Sequence, residues 1–163
     1  HFGVSNQNPM MMELLKTAVK QPLKVNQLQL SAAFTPSFEA GFHVNMEGTK
    51  AAVRDGSVFE YCRLTDTVIQ AWSVLQHGFF KGNFVGKEEF AALNHVLNDL
   101  AKKYQVTPTA IALAWVLRYP GKMQAVIGTT KPQHVLEAGK AATVTLTRKE
   151  WYQIYLAAGN DLP

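Results

Sequence analysis

The sequence has little of what marks secreted, membrane-spanning or disulfide-bonded proteins. Its single cysteine, Cys62, excludes a disulfide within the chain and is typical of a reducing compartment. The longest apolar run, residues 110–117, is far shorter than the roughly 20 residues that a membrane span requires. No basic stretch followed by an apolar one stands at the amino end, so nothing indicates secretion. We therefore expect a cytoplasmic protein that does not enter a membrane.

Charged residues are also few, and they are not concentrated in one place. They make up 17% of the chain against 47% apolar residues, a balance typical of globular proteins. The net charge is +4, but its lysines and arginines are spread from Lys16 to Lys149. Nucleic-acid binders usually concentrate such charge in a stripe. We expect no nucleic-acid partner, because a cleft for a phosphate-bearing cofactor explains the charge equally well.

Hydrophobic spacing predicts strands that alternate with helices. The predicted strands are residues 2–5, 24–31, 67–72 and 125–128. The predicted helices fall within residues 9–18, 58–64, 88–104, 107–117, 132–138 and 147–158. Residues 32–55 lack clean periodicity and form a long connection, which indicates a functional loop or an irregular lead-in to a helix.

Local signals support several of these boundaries. Asn8 followed by Pro9 is a favourable helix start, and apolar residues at helical spacing follow it. Thr147 with Glu150 predicts a capping box at the last helix. The short strand at residues 125–128 is apolar enough to be expected buried.

Strand-then-helix alternation, repeated four times, predicts a parallel α/β architecture. A complete (β/α)8 barrel needs about 250 residues or slightly fewer, and this chain has 163. No Gly-x-Gly-x-x-Gly motif stands between a strand and a helix, so a Rossmann fold would lack its phosphate loop.

Four segments, taken together and in order, resemble the last four strands of the aldo-keto reductase family. They are FGVSN at 2–6, VNQLQLS at 25–31, AWSVL at 71–75 and VIGTTKP at 126–132. An apolar stretch containing Ala-Leu-Ala-Trp, within residues 106–117, matches the family as well. The resemblance implies that residues 1–163 are the C-terminal half of a TIM (β/α)8 barrel, a single half-barrel unit of a larger domain.

The resemblance also implies a nicotinamide cofactor, NADPH in preference to NADH, held at the carboxyl ends of the strands. Ser5, Asn6 and Gln27 match contacts to the nicotinamide carboxamide, and Trp72 matches the aromatic residue that stacks on the ring. The remaining matched positions, running from the pyrophosphate to the adenosine, are Ser73, Leu75, Gly128, Thr129, Thr130, Lys131, His134, Glu137 and Ala138. Lys131 suits the adenosine 2′-phosphate. No metal site is implied.

Each of these positions also has a purely structural interpretation. Ser5 and Asn6 could form a strand-end turn, and Trp72 could serve packing alone. Gln27 could belong to a polar network, since a buried amide without partners costs about 1–3 kcal/mol. The chain departs from the family in two places: His134 replaces a frequent arginine, and Gln76 and His77 precede Gly78 where glycines are common. His77 could contact phosphate or be a solvated loop residue.

The family's Asp-Tyr-Lys-His catalytic set comes from the first four strands, so the resemblance assigns no catalytic residue to this chain. The five tyrosines all fall in or near predicted helices, and His95 is predicted to be exposed. We predict that the parent protein reduces an aldehyde or ketone and that this chain alone is inactive. A non-catalytic nucleotide-sensing module of the same fold remains the alternative, and a different phosphate-binding barrel explains fewer of the residues.

Half a barrel has two unpaired strand edges, which invite pairing with another chain. The sequence therefore predicts association with the missing N-terminal half or with a second copy, at the strands containing Gly3 and Val126. The substrate is predicted to be a small carbonyl compound.

Overall fold

The computed structural model describes residues 1–42, 57–78 and 81–162. Its four strands are β1 (Phe2–Ser5), β2 (Leu23–Gln29), β3 (Val68–Trp72) and β4 (Met123–Ala125). They form one sheet in the order β1-β2-β3-β4, and every neighbouring pair is parallel. The predicted α/β fold with four adjacent parallel strands is therefore confirmed.

Seven helices connect or follow these strands in the described part of the chain. They are α1 (Pro9–Ala18), α2 (Pro36–Phe42), α3 (Val58–Leu64), α4 (Ala91–Tyr104), α5 (Pro108–Leu117), α6 (Pro132–Gly139) and α7 (Arg148–Ala157). Two 3-10 turns, Glu88–Phe90 and Lys140–Thr143, adjoin α4 and α6. The predicted connection at 32–55 thus contains α2, while residues 43–56, with His43, lie outside the described residues. None of the described helices has the length and apolar character needed to cross a membrane.

Side-chain caps explain where several helices begin. Asn8 Oδ1 accepts a 2.9 Å hydrogen bond from the Met11 amide at the start of α1. Thr147 and Glu150 form the predicted capping box at α7, with reciprocal bonds between side chain and backbone. These bonds satisfy amide groups that have no partner inside the helix.

The core lies on one face of the sheet. Alternation along β2 and β3 directs Leu28, Ile69 and Ala71 into it, and all three are buried. Trp115 of α5 and Trp151 of α7 stack at 4.8 Å between ring centres with an 8° angle between planes. The opposite face of the sheet carries Gln27 and Gln70, each only half-buried.

One prediction about burial was wrong. The buried strand expected at 125–128 is instead β4 at Met123–Ala125, and Val126 and Ile127 remain 40% and 38% exposed. β4 has only β3 as a neighbour among the described strands, so its apolar residues lack a second strand and covering side chains. The apolar side of α1 is also exposed, since Leu14 is 69% accessible and Met12 is the only buried residue of that helix.

Candidate functional site

The carboxyl ends of β3 and β4 form one wall of a groove of about 560 Å³. Parallel strands bring their carboxyl ends to the same edge of a sheet, which is where ligands bind in such folds. Most of the residues predicted to bind the cofactor line this groove: Trp72, Ser73, Leu75, Gly128, Thr129, His134, Glu137 and Ala138. The rest of the lining comes from Val74, Gln76, Asn83, Thr109, Leu113, Val126 and Ile127.

The turn after β3 positions the first group of these residues. Ser73 has a left-handed backbone with φ of 53°, a conformation that is uncommon for non-glycine residues and that concentrates at functional sites. Its carbonyl accepts a 2.9 Å bond from the Gln76 amide, which closes the turn. The chain therefore reverses directly at the strand end, so residues 72 to 76 all line the groove.

Gln76 was not predicted to be a binding residue, yet it carries an unusual polar atom. Its carbonyl accepts a 2.5 Å bond from Ser31 Oγ, which ties the turn to the end of β2. Its side-chain oxygen is buried and makes no hydrogen bond within the described residues. Buried polar atoms are usually hydrogen-bonded, so this oxygen is available to a donor on a ligand in the groove. No local pattern in the sequence marks Gln76, which lies in the turn beyond the end of β3.

The second wall is the segment that leads from β4 into α6. Thr129 Oγ1 accepts a 3.2 Å bond from the Lys131 amide and lies 3.4 Å from His134 Nδ1. These contacts fix the turn at the start of α6, where free backbone amides favour anions. The Lys131 and Thr130 side chains are exposed and do not line the groove. Glu137, which lines it, accepts a 3.0 Å bond from Gln133.

Ser5, Asn6 and Gln27 lie at the other side of the sheet, outside the groove. Ser5 and Gln27 are register partners and line a separate shallow depression on the open face of the sheet. The Asn6 amide donates a 2.9 Å bond to the Gln27 carbonyl, and Asn6 is left-handed with φ of 54°, which asparagine tolerates better than most residues. Thus Asn6 forms the strand-end turn that the sequence offered as an alternative role.

A chain of amide side chains connects this depression to the rest of the open face. Gln27 Nε2 donates to Gln70 Oε1 at 2.8 Å, and Gln70 Nε2 donates to Gln124 Oε1 at 2.9 Å. The three glutamines are register partners on β2, β3 and β4. Gln27 therefore has a partner in a polar network, while Gln29 Nε2 is buried without a partner among the described residues. Gln70 and Gln124 were missed because pairing across strands requires the register.

The histidines and tyrosines take largely structural positions. His77 packs against Phe90 at 4.9 Å between ring centres, with Nε2 3.6 Å from a Glu89 carboxylate oxygen. His77 does not line the groove and is partly buried rather than solvated, and the phosphate contact offered for it stays a prediction. His95 is exposed on α4, as predicted. The tyrosines are in or next to helices, also as predicted: Tyr61, Tyr104, Tyr119, Tyr152 and Tyr155.

No group of three or more histidine, cysteine, aspartate or glutamate side chains in the described part of the chain is arranged to hold a metal ion. Cys62 is buried, and burial raises the pKa of its thiol to about 11. The thiol is therefore protonated at neutral pH and unsuited to nucleophilic chemistry.

A sequence model of the Aldo/keto reductase family matches residues 1–157 of this chain. The chain belongs to the aldo/keto reductase family. One relative, 6-dehydroglucose reductase of Agrobacterium fabrum, is 32% identical to this chain over 162 residues. The match covers 98% of this chain and 47% of the relative, so the chain spans about half the length of the curated relatives it matches.

Solved structures agree on the fold. The thermostable aldo-keto reductase Tm1743, in complex with the inhibitor epalrestat, superposes with a TM-score of 0.66 at 21% identity, covering 95% of this chain and 47% of that one. A variant of Gox0644 in complex with NADPH superposes with a TM-score of 0.62 at 19% identity, covering 95% of this chain and 45% of that one. At such identities the likeness establishes the arrangement of strands and helices.

Proposed function

We propose that residues 1–163 form a single unit, the C-terminal half of a (β/α)8 barrel, and that the parent protein reduces an aldehyde or ketone with NADPH. The observation that carries the proposal is the groove at the carboxyl ends of β3 and β4. It gathers an aromatic side chain, hydroxyls, an imidazole and a carboxylate along one edge of a parallel sheet. The match of the chain to about half of each relative's length supports the half-barrel.

The residues of the groove fit a nicotinamide dinucleotide. Trp72, half-buried at the end of β3, offers an aromatic surface for a planar ring. The buried side-chain oxygen of Gln76 can accept a hydrogen bond from the ligand. The hydroxyls of Ser73 and Thr129 suit phosphate or ribose oxygens, and Glu137 can accept from an amino group such as that of adenine. When bound, the cofactor supplies a hydride to the carbonyl carbon of the substrate.

Ser5, Asn6 and Gln27 complete the proposed cofactor site on the nicotinamide side. Because Gln27 Nε2 already donates to Gln70, the Gln27 side-chain oxygen is the atom directed to a ligand. That oxygen can accept an N–H of the nicotinamide carboxamide and so select the face of the ring that is presented. Gln70 and Gln124 hold this orientation as positioning residues.

NADPH is proposed over NADH because Thr130 and Lys131 stand exposed at the turn before α6. A lysine ammonium there can approach an adenosine 2′-phosphate as a point charge. His134 contributes a second donor, held near Thr129 Oγ1. Measured affinities of NADPH and NADH for the chain, and the loss of the difference between them in a Lys131→Gln variant, test this preference.

The chain by itself supplies no catalytic residue in this proposal. The described tyrosines lie in helices or at their ends, away from the edge that carries the groove. The general acid and the residues that tune it would come from the other half of the barrel. Purified chain is therefore expected to bind NADPH without oxidising it when an aldehyde or ketone is added.

Fluorescence of the bound nicotinamide tests the cofactor site directly. Saturable enhancement of NADPH fluorescence is expected for the chain, and Trp72→Ala should weaken binding about tenfold, while Trp72→Tyr keeps an aromatic surface and most of the affinity. Phe2→Ala, which removes an exposed aromatic residue outside the groove, should change nothing. Equal losses in Trp72→Ala and Phe2→Ala, or no saturable binding, would refute the groove as the cofactor site.

A non-catalytic nucleotide-sensing module of the same fold is the alternative. The sequence of the parent protein's other half distinguishes the two by the presence or loss of the Asp-Tyr-Lys-His set.

The edge strands β1 and β4 are proposed to pair with the missing half or with a second copy. A monomeric, non-aggregating chain in light scattering at high concentration would contradict that pairing. A cytoplasmic location belongs to the same proposal and is supported by the single, buried cysteine.

A further inference from the structure

A second cavity, of about 300 Å³, lies at the end of the sheet opposite to the groove. Its residues come from α3, from the segment that follows α5 and from the first half of α7. The first two of these lead into the amino-terminal ends of β3 and β4. The lining consists of Glu60, Arg63, Arg118, Tyr119, Pro120, Arg148, Trp151 and Tyr152. None of these residues lines the groove proposed for the cofactor.

Three arginines face this cavity, and they have no acidic partner among the residues that the structure describes. Across residues 1–42, 57–78 and 81–162, no carboxylate oxygen lies within 4.0 Å of the guanidinium nitrogens of Arg63, Arg118 or Arg148. Arg118 uses Nε to donate to the Leu146 carbonyl at 2.9 Å, which leaves its terminal nitrogens available. Among the described lining residues, three arginines stand against a single carboxylate, that of Glu60.

The floor of the cavity is aromatic and rigid. Tyr119 and Trp151 are 8% and 7% exposed, and Trp151 is stacked on Trp115 and fixed by reciprocal indole-to-carbonyl bonds of 3.0 and 3.1 Å. Burial and the Glu60 carboxylate raise the pKa of Tyr119 to about 12, against the opposing effect of Arg63. The Tyr119 hydroxyl therefore stays protonated and can donate a hydrogen bond. The Arg148 guanidinium carbon lies 5.8 Å from the centre of the Tyr152 ring, which restrains that arginine beside the cavity.

We propose that this cavity binds a small organic phosphate monoester. Guanidinium groups match phosphate oxygens with paired hydrogen bonds, and three of them without a carboxylate partner in the described ranges suit a dianion. The volume is at the lower limit of small-molecule pockets, so the ligand is a compact metabolite rather than a polymer. Pro120 and the aromatic rings supply apolar contact for the organic part.

Titration calorimetry with phenyl phosphate and with inorganic phosphate tests the proposal on the 163-residue chain. Phenyl phosphate is expected to bind saturably and more tightly than inorganic phosphate, because its ring contacts the aromatic floor. Arg63→Gln and Arg148→Gln should each weaken phenyl phosphate about tenfold, the loss of one charge-assisted hydrogen bond. Lys149→Gln is the matched control, since it removes the same charge next to Arg148 but lies outside the lining.

Three results would overturn the proposal. They are no saturable binding of phenyl phosphate, equal affinity for inorganic phosphate, and an equal loss in Lys149→Gln and Arg148→Gln, which would indicate a diffuse charge effect. Circular dichroism of each variant checks folding, and either arginine variant suffices if the other does not fold. NADPH fluorescence should be unchanged in both variants, so the outcome is independent of the function proposed for the groove.

Discussion

Helix α5, on the covered face of the sheet, buries its apolar side chains, whereas α1 and α6, which follow the edge strands, leave most of theirs exposed. In α5 every residue from Ala110 to Val116 is buried, whereas α1 buries Met12 alone and α6 buries none. Leu14 on α1 and Leu136 on α6 are 69% and 67% exposed. All three helices are rich in apolar residues, so the difference lies in their neighbours.

The position of each helix in the sheet explains this contrast. α5 packs against α4, α6 and the strand β4, whereas α1 follows β1 and α6 follows β4, the two edge strands of the described sheet. Neighbours cover α5 on several sides, while much of the apolar surface of α1 and α6 stays in water. The comparison predicts that packing stabilises α5 and α7 and that local capping stabilises α1.

The largest effect is expected at the centre of the covered face. Trp115→Ala removes a 1% exposed indole and its hydrogen bond to the Trp151 carbonyl, and should lower the free energy of unfolding by about 3–5 kcal/mol. Urea unfolding followed by circular dichroism measures this loss. A cost below about 1 kcal/mol would mean that the stacked pair does not organise the core.

The second prediction concerns the ionic contacts of α7. Burial would raise the pKa of Glu150, but bonds from Lys103, Thr147 and Tyr104 outweigh burial and lower it to about 2. Glu150→Gln keeps the capping geometry but loses the charge, and should cost about 2 kcal/mol at pH 7.

The pH dependence of the stability lost in Glu150→Gln tests whether the carboxylate charge is its cause. Because the folded-state pKa is below the ordinary value of 4.5, the stabilisation by the carboxylate is complete above about pH 4.5 and declines as the pH falls toward 2. Urea midpoints of the wild type and of Glu150→Gln should therefore converge on acidification. A constant gap between them down to pH 2 would argue against the charge as the cause.

At the edge, the cap of α1 should matter more than its apolar surface. Asn8→Ala removes the 2.9 Å bond to the Met11 amide and should cost about 1 kcal/mol. Urea unfolding is again the measurement, with Asn8→Ser as the control, because serine is also a favourable cap. A loss in the serine variant equal to that in the alanine variant would exclude capping as the reason.

The smallest effect is expected for Leu14→Ala, on the same helix. Leu14 is 69% exposed, so its truncation should change the free energy of unfolding by less than about 0.5 kcal/mol. A loss above about 1.5 kcal/mol in urea would show that another chain covers this surface in solution. The contrast between the covered face and the edges would then apply to the isolated chain alone.

Much of the fold could be predicted from short-range patterns. The caps at Asn8 and Thr147 and the bounds of α3 depend on residues within a few positions of each other, and all were predicted. The end of the last strand was misplaced because the apolar residues 126 and 127 suggest a buried strand, although both lie exposed after the end of β4. Eight of the residues that the family resemblance assigned to the cofactor line one groove, and their role in binding stays a prediction. Gln76, Asn83 and Thr109 were missed, since no local pattern distinguishes a groove residue from a loop residue.

The sequence alone determined the alternation of strands and helices and several helix caps, because these depend on neighbours along the chain. The tertiary structure decided the rest. It placed Gln27, Gln70 and Gln124 side by side through strand register, and it brought Arg63, Arg118 and Arg148 around one cavity. It also left one apolar helix buried and another exposed. Contacts between residues far apart in the chain depend on the register and on the covering of the sheet, and no local spacing encodes either.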